Sequence, residues 1–183
     1  MKTLLQTTDN KGMLPMKCKK TLLYFFVILF AFSGPLISDD LEELYTFSYG
    51  DWTGGAYRLA DGTFSHCHVA TAFESGIVFA IALTDENEIN LLIVKESWEL
   101  SSDRNYEVNL LIDGKDIGRF IAIAINDTSL QIELGNREAI FNKLRLGNRL
   151  VVEGDQEKLS FSLRGSNKAL GKVIECVNEA PSF

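Results

Sequence analysis

From Tyr45 to Leu134 the chain reads as short apolar or alternating runs broken at near-regular intervals by turn residues. The runs are Ala56 to Leu59, Thr63 to Phe73, Gly76 to Leu83, Glu88 to Lys95, Tyr106 to Ile112, Asp116 to Ile125 and Ser129 to Leu134. Between most of them stand Asp61-Gly62, Ser75-Gly76, Asp85-Glu86-Asn87, Asp113-Gly114 and Asn126-Asp127. Asp or Asn beside Gly supplies the positive backbone dihedrals that tight hairpins require. Strands recurring at this spacing predict a mainly β fold, an antiparallel β-sandwich or barrel of about 8–10 strands. Phe120 to Ile125 is apolar at every position, which predicts a central strand covered on both faces. Leu130, Ile132 and Leu134 alternate with Gln131 and Glu133, as Leu159, Phe161 and Leu163 do with Ser160, Ser162 and Arg164. Those strands should have one wet face.

The period changes twice late in the chain. Asn136 is placed to cap a short helix carrying Ile140, Phe141 and Leu144 on one side, with Lys143 and Arg145 in its last turn and Gly147 after it. Ser166 is placed to cap a second, C-terminal helix whose Ala169, Leu170, Val173, Ile174 and Val177 form one stripe. At 100° per residue Cys176 falls at the edge of that stripe and faces the sheet. No proline occurs between Pro35 and Pro181, and no repeat or linker interrupts the pattern, so residues 39–183 read as a single domain.

Ahead of this domain, Lys17, Lys19 and Lys20 precede the apolar run Thr21 to Phe32, which ends at Ser33-Gly34-Pro35. That layout is a secretory signal peptide over residues 1–38, with cleavage near 33/34 or 38/39. A spanning helix needs roughly 20 consecutive apolar residues, more than this run offers, so cleavage is favoured over a retained anchor and no stable membrane insertion follows it. The basic region is long, and Met13 or Met16 could serve as the start in place of Met1. Export implies a periplasmic or secreted location. Five of the 18 basic residues and one of the 25 acidic ones fall within residues 1–38, leaving 13 and 24 and a net charge of −11. Such acidity argues against nucleic acid and anionic lipid surfaces as partners.

Signal removal also discards Cys18 and leaves Cys67 and Cys176. An even pair without CxxC spacing, in a compartment where disulfides persist, favours a structural bridge over a redox or zinc motif. It would staple the last helix to an early strand.

His66-Cys67-His68 is the one local cluster with chemical potential, because alternate strand residues share a face and both imidazoles could meet one metal ion. They are the only histidines, so a third ligand would have to be a carboxylate or water. If Cys67 turns inward to its bridge, His66 and His68 point outward and could simply be exposed. Other motifs are weaker. Ser65 is a sequence neighbour of His66 without a GxSxG elbow. Gly54-Gly55 lacks the remaining elements of a phosphate loop and reads as a turn or bulge entering a strand. Abundant carboxylates do not by themselves make a two-acid glycosidase. Asn126-Asp127-Thr128 matches a glycosylation triplet but suits a turn. Trp52 and Trp98 suit core or rim packing better than ligand stacking.

Taken in order, Trp52-Thr53-Gly54-Gly55-Ala56-Tyr57, Phe64-Ser65-His66-Cys67, Ser75-Gly76, Trp98-x-Leu100, Phe161-x-Leu163-x-Gly165-Ser166, Ala169-Leu170 and Cys176-Val177 resemble a pattern of small exported proteins of alphaproteobacterial type. The signal, the early Trp on a strand and the closing strand and helix are distantly similar to the invasion-associated locus B family. The cysteines depart from that family's early close pair, so no site residue is carried over. The resemblance implies a periplasmic β-sandwich domain.

The expected role is therefore an exported module, with no cofactor, that binds another periplasmic or envelope protein or component without catalysis. Two alternatives stand beside it. One is a hydrolase or metal-dependent enzyme using His66 and His68, and the other is an inhibitor of lysozyme or a protease.

Overall fold

The computed structural model describes residues 41–102 and 104–180. The signal segment, its cleavage positions and Cys18 lie outside the described residues. Ten strands and two helices follow one another: β1 Glu42–Tyr49, β2 Trp52–Arg58, β3 Phe64–Ala72, β4 Ile77–Leu83, β5 Ile89–Lys95, β6 Asn105–Ile112, β7 Lys115–Asn126, β8 Ser129–Gly135, α1 Glu138–Leu146, β9 Arg149–Gly154, β10 Lys158–Ser162 and α2 Ser166–Glu179. The fold is mainly β, with its last helix at the C-terminal end, as the periodicity predicts. No helix among the described residues is long and apolar enough to cross a membrane.

All ten strands belong to one antiparallel hydrogen-bonded sheet, in the order β1-β2-β3-β4-β5-β8-β7-β6-β9-β10. Tight hairpins join most neighbours. At the β6–β7 turn both Asp113 and Gly114 take positive φ, 50° and 76°, the geometry that matches the twist of the flanking strands. The inner face of the sheet holds the core, where Phe79, Ile81, Leu91, Ile93, Leu110 and Ile132 are fully buried. The sheet curls far enough for distant strands to meet across that core. Phe161 of β10 stacks on Phe79 of β4 with centroids 4.6 Å apart, and the Trp52 indole of β2 donates to the Arg164 carbonyl at 2.9 Å. At one end of the sheet the Trp98 indole donates to Glu157 at 2.9 Å, and Lys95 pairs with the same carboxylate. Burial works against ionisation of Glu157, but these two donors outweigh it and hold its carboxyl below the usual range. Trp52 and Trp98 thus act in packing and tethering.

α2 lies against β2, β3, β4 and α1. It buries Ala169, Leu170, Val173, Cys176 and Val177, the side expected from the 3.6-residue period. Cys176 is bonded to Cys67 of β3, with Cα atoms 6.2 Å apart.

Several local expectations are corrected. Arg137, not Asn136, is the N-cap of α1 and makes no side-chain capping bond, because the Asn136 amide turns away to donate to the Glu86 carbonyl at 3.0 Å. Gly165, not Ser166, caps α2, with φ of 86°. Ser166 is the first helical residue, and its buried hydroxyl reaches the Leu144 and Arg145 carbonyls at 2.8 and 3.1 Å. Those carbonyls belong to the last turn of α1, where the helix has no N–H donors of its own to offer them. Ser166 therefore closes the preceding helix. β7 is not covered on both sides: Phe120, Ala122 and Ala124 are buried, whereas Ile121, Ile123 and Ile125 are 45%, 42% and 53% exposed. Gly54-Gly55 is no turn but the middle of β2.

Candidate functional site

The site is set by the alternation of β3. Cys67 is wholly buried on the inner face where its bridge lies, which sends His66 and His68 to the outer face. Their cross-strand partners on β2 are Tyr57 and Gly55. The glycine pair lets three strands draw together here. A Cβ on Gly54 would lie 2.0 Å from the His68 carbonyl oxygen, and one on Gly55 would lie 2.5 Å from that of Tyr45. No larger residue fits either position without moving backbone. With Gly55 bare, the Tyr57 ring can lie beside it and reach both imidazoles.

The three rings are nearly parallel, with centroids 5.4 Å apart for Tyr57–His66, 5.0 Å for Tyr57–His68 and 5.4 Å for His66–His68. His68 Nδ1 is 3.3 Å from His66 Nε2, so the imidazoles meet edge to edge through one hydrogen bond. His66 Nδ1 in turn is 2.9 Å from Ser65 Oγ. The Tyr57 hydroxyl donates to Glu43 of β1 at 2.8 Å. Burial, followed by that bond and by the charge of Glu43, pushes the phenol well above its usual range. Both histidines are half-buried rather than freely exposed.

Charge is unwelcome in this cluster. Burial pushes His66 down to about 4. Burial, with repulsion from His66 added, brings His68 to about 4 as well. The hydrogen-bond chain explains how protons are accommodated. A neutral pair shares one N–H across the 3.3 Å contact, and a single imidazolium can still donate across it. A second proton would set N–H against N–H, so the two rings titrate as a coupled pair.

The effect on stability has a definite sign. Because the folded-state values lie below the unfolded value of about 6.5, the unfolded chain binds more protons, and acidification favours unfolding. The contribution is intact above pH of about 6.5 and is lost as pH falls towards 4. It amounts to at most about 3 kcal/mol for each imidazole. Urea unfolding followed across this range should show the loss, and a His66→Gln, His68→Gln double variant should flatten that part of the profile. An unchanged slope in the variant would assign the acid sensitivity to carboxylates.

The sequence placed His66 and His68 on one face, and the structure brings them into direct contact. Among the described residues no group of three or more His, Cys, Asp or Glu side chains is arranged to hold a metal ion. Tyr57, Glu43 and the Ser65 contact were not singled out from the sequence. The Ser65 contact arises where β2 and β3 slip register between Tyr57 and Arg58, a bulge that no spacing rule marks. Asn126-Asp127-Thr128 forms the expected turn, in which the Thr128 backbone N–H donates to Asn126 Oδ1 at 2.9 Å.

No family model matches the chain, and no curated protein matches it. Among solved structures it is similar to the crystal structure of invasion associated protein B from Bartonella henselae, at 16% sequence identity and a TM-score of 0.53. The match covers 74% of this chain and 98% of that one. The two chains share a fold, which agrees with a distant resemblance to that family.

Proposed function

We propose that this chain is an exported, non-catalytic binding domain of the cell envelope, taking another protein or an envelope component on the outer face of β2 and β3. The observation that carries this reading is the Tyr57–His66–His68 cluster. Rings held parallel by the strands and kept neutral by burial form a pre-ordered aromatic and hydrogen-bonding patch, the kind of surface that loses little entropy on binding. A general base works best with a pKa near the working pH, and imidazoles brought to about 4 are weak proton acceptors at neutrality. The basic and apolar N-terminal segment, the acidity and the Cys67–Cys176 bridge support export, and periplasmic placement is part of the proposal. Crosslinking in intact cells should recover one dominant partner with the native chain and lose it with His68→Ala. Recovery of no partner from native cells would sink the idea.

One observation favours a second reading, a hydrolase. Ser65, His66 and His68 form a chain of contacts at 2.9 and 3.3 Å, in which a nucleophile meets a base held by a third group. Labelling of Ser65 by a fluorophosphonate, abolished by His66→Gln, would replace the binding reading with this one. Stoichiometric metal lost in a His66→Ala, His68→Ala variant would instead establish a metal-dependent enzyme.

A further inference from the structure

Charge is unevenly spread over this acidic domain. Residues 143–149 carry Lys143, Arg145 and Arg149, and residues 164–172 carry Arg164, Lys168 and Lys172, with no acid in either stretch. Six of the 13 basic residues beyond residue 38 thus fall in the two segments that meet where α1 ends and α2 begins. Lys172 pairs with Glu175, but none of the other five forms an ion pair among the described residues. Helix stability explains only half of the arrangement. Lys143 and Arg145 lie in the last turn of α1, where cations complement the helix dipole. Arg164 and Lys168 flank the start of α2, whose first turn has no acid, and cations there oppose the dipole.

Contacts join these residues into one surface. Arg145 Nη2 donates to Asn167 Oδ1 at 3.1 Å, and the next residue, Lys168, holds its ammonium 5.2 Å from the centre of the Tyr49 ring. A Cβ on Gly147 would lie 3.3 Å from Leu163 Cδ1, so the end of α1 abuts the residue before Arg164. Among these cations stands Leu146, at 69% exposed the barest large apolar side chain of the described residues. Lys143, three residues earlier, shares its side of α1. The carboxylates beside the surface in the chain are Asp113, which accepts from the Asn148 and Arg149 backbone N–H groups at 3.0 Å, and Asp51 in the turn after Tyr49.

Cations, a half-exposed tyrosine and a bare leucine are together the make-up of an interfacial membrane contact. The cations meet lipid phosphates, the phenol ring sits at headgroup level and the leucine enters the acyl boundary. A net charge of −11 opposes approach to such a surface, but that repulsion is screened beyond about 8 Å at physiological salt, whereas the local cations act in contact. We propose that the α1–α2 junction, through Lys143, Arg145, Leu146, Arg164, Lys168 and Tyr49, is a peripheral docking surface for a bilayer bearing anionic phospholipid. None of these residues belongs to the Tyr57 cluster, so membrane docking and partner binding are separable by mutation.

Co-sedimentation of the protein as isolated from its host should show binding to phosphatidylcholine vesicles that contain phosphatidylglycerol, none to phosphatidylcholine alone, and a loss of affinity as salt is raised. Lys143→Gln and Lys168→Gln should each weaken binding about fivefold, and Leu146→Ser by on the order of tenfold. All three side chains are exposed, so the melting temperature should hold. Arg104→Gln removes the same charge at the opposite end of β6 from the Asp113 turn, and should bind as the native chain does. Equal binding to both kinds of vesicle, binding to neither, or losses no larger than that of Arg104→Gln would overturn the proposal. So would retention on immobilised heparin without vesicle binding, which would assign the surface to an anionic glycan.

Discussion

Reducing the Cys67–Cys176 bridge, or replacing Cys176 with Ser, is expected to lower the stability of the domain by about 4 kcal/mol and its melting temperature by on the order of 10 °C. The bridge closes a sequence separation of 109 residues, and a loop of that length forfeits much conformational freedom when unfolded. Its position adds a local effect. Cys176 is one of the buried residues by which α2 rests on the sheet, and Cys67 sits between the two histidines. Loss of the covalent tie should therefore loosen α2 before it loosens the sheet. Amides of α2 should exchange with solvent faster in the reduced protein, while those of β4 and β5 keep the protection of central strands. Thermal melts with and without reductant, paired with hydrogen exchange, check both parts. A melting temperature within about 1 °C of the oxidised protein would refute the staple, since even one kcal/mol moves a domain of this size by more.

The parts of this fold that periodicity reveals are those where one local pattern decides burial. β3 to β8 emerge within a residue or two because turn residues bracket them, and α2 follows from its stripe. β1 escapes as an element because Leu44, Tyr45 and Phe47 interrupt strict alternation, and β1 slips register on β2 between Glu43 and Tyr45. β9 escapes because Leu150, Val151 and Val152 run together and break the alternation within its six residues. β7 is the instructive failure. Its apolar residues predict burial on both faces, yet the described residues leave Ile121, Ile123 and Ile125 about half exposed, because hydropathy alone does not tell which face of a strand the fold will cover. The caps fail for another reason: Asn136 and Ser166 have nearby partners in other segments, Glu86 and the end of α1, and tertiary hydrogen bonds displace local ones. At the site, strand alternation and an inward Cys67 suffice to set His66 and His68 side by side. Tyr57 and Glu43 come from register across three strands, which a single sequence does not encode visibly.

Trp52→Ala is expected to cost about 3 to 5 kcal/mol, comparable with loss of the bridge. Trp52 is 2% exposed, and its ring meets Phe79 edge-on at 6.3 Å. Phe79 in turn stacks on Phe161, so removal of the indole opens a void beside the aromatic contact that links β4 to β10. The indole N–H also fixes the Arg164 carbonyl, one residue ahead of the positive-φ Gly165 from which α2 departs. Trp52→Phe separates these contributions. It retains most of the ring and deletes the hydrogen bond, and should cost about 1 to 2 kcal/mol. Urea denaturation of the three proteins would show the midpoint falling in the order native, Trp52→Phe, Trp52→Ala. Equal losses for the two variants would mean that the hydrogen bond to the Arg164 loop, not the packing, governs how β2 holds the C-terminal helix. A small loss for both would mean that the bridge holds α2 in place without the tryptophan.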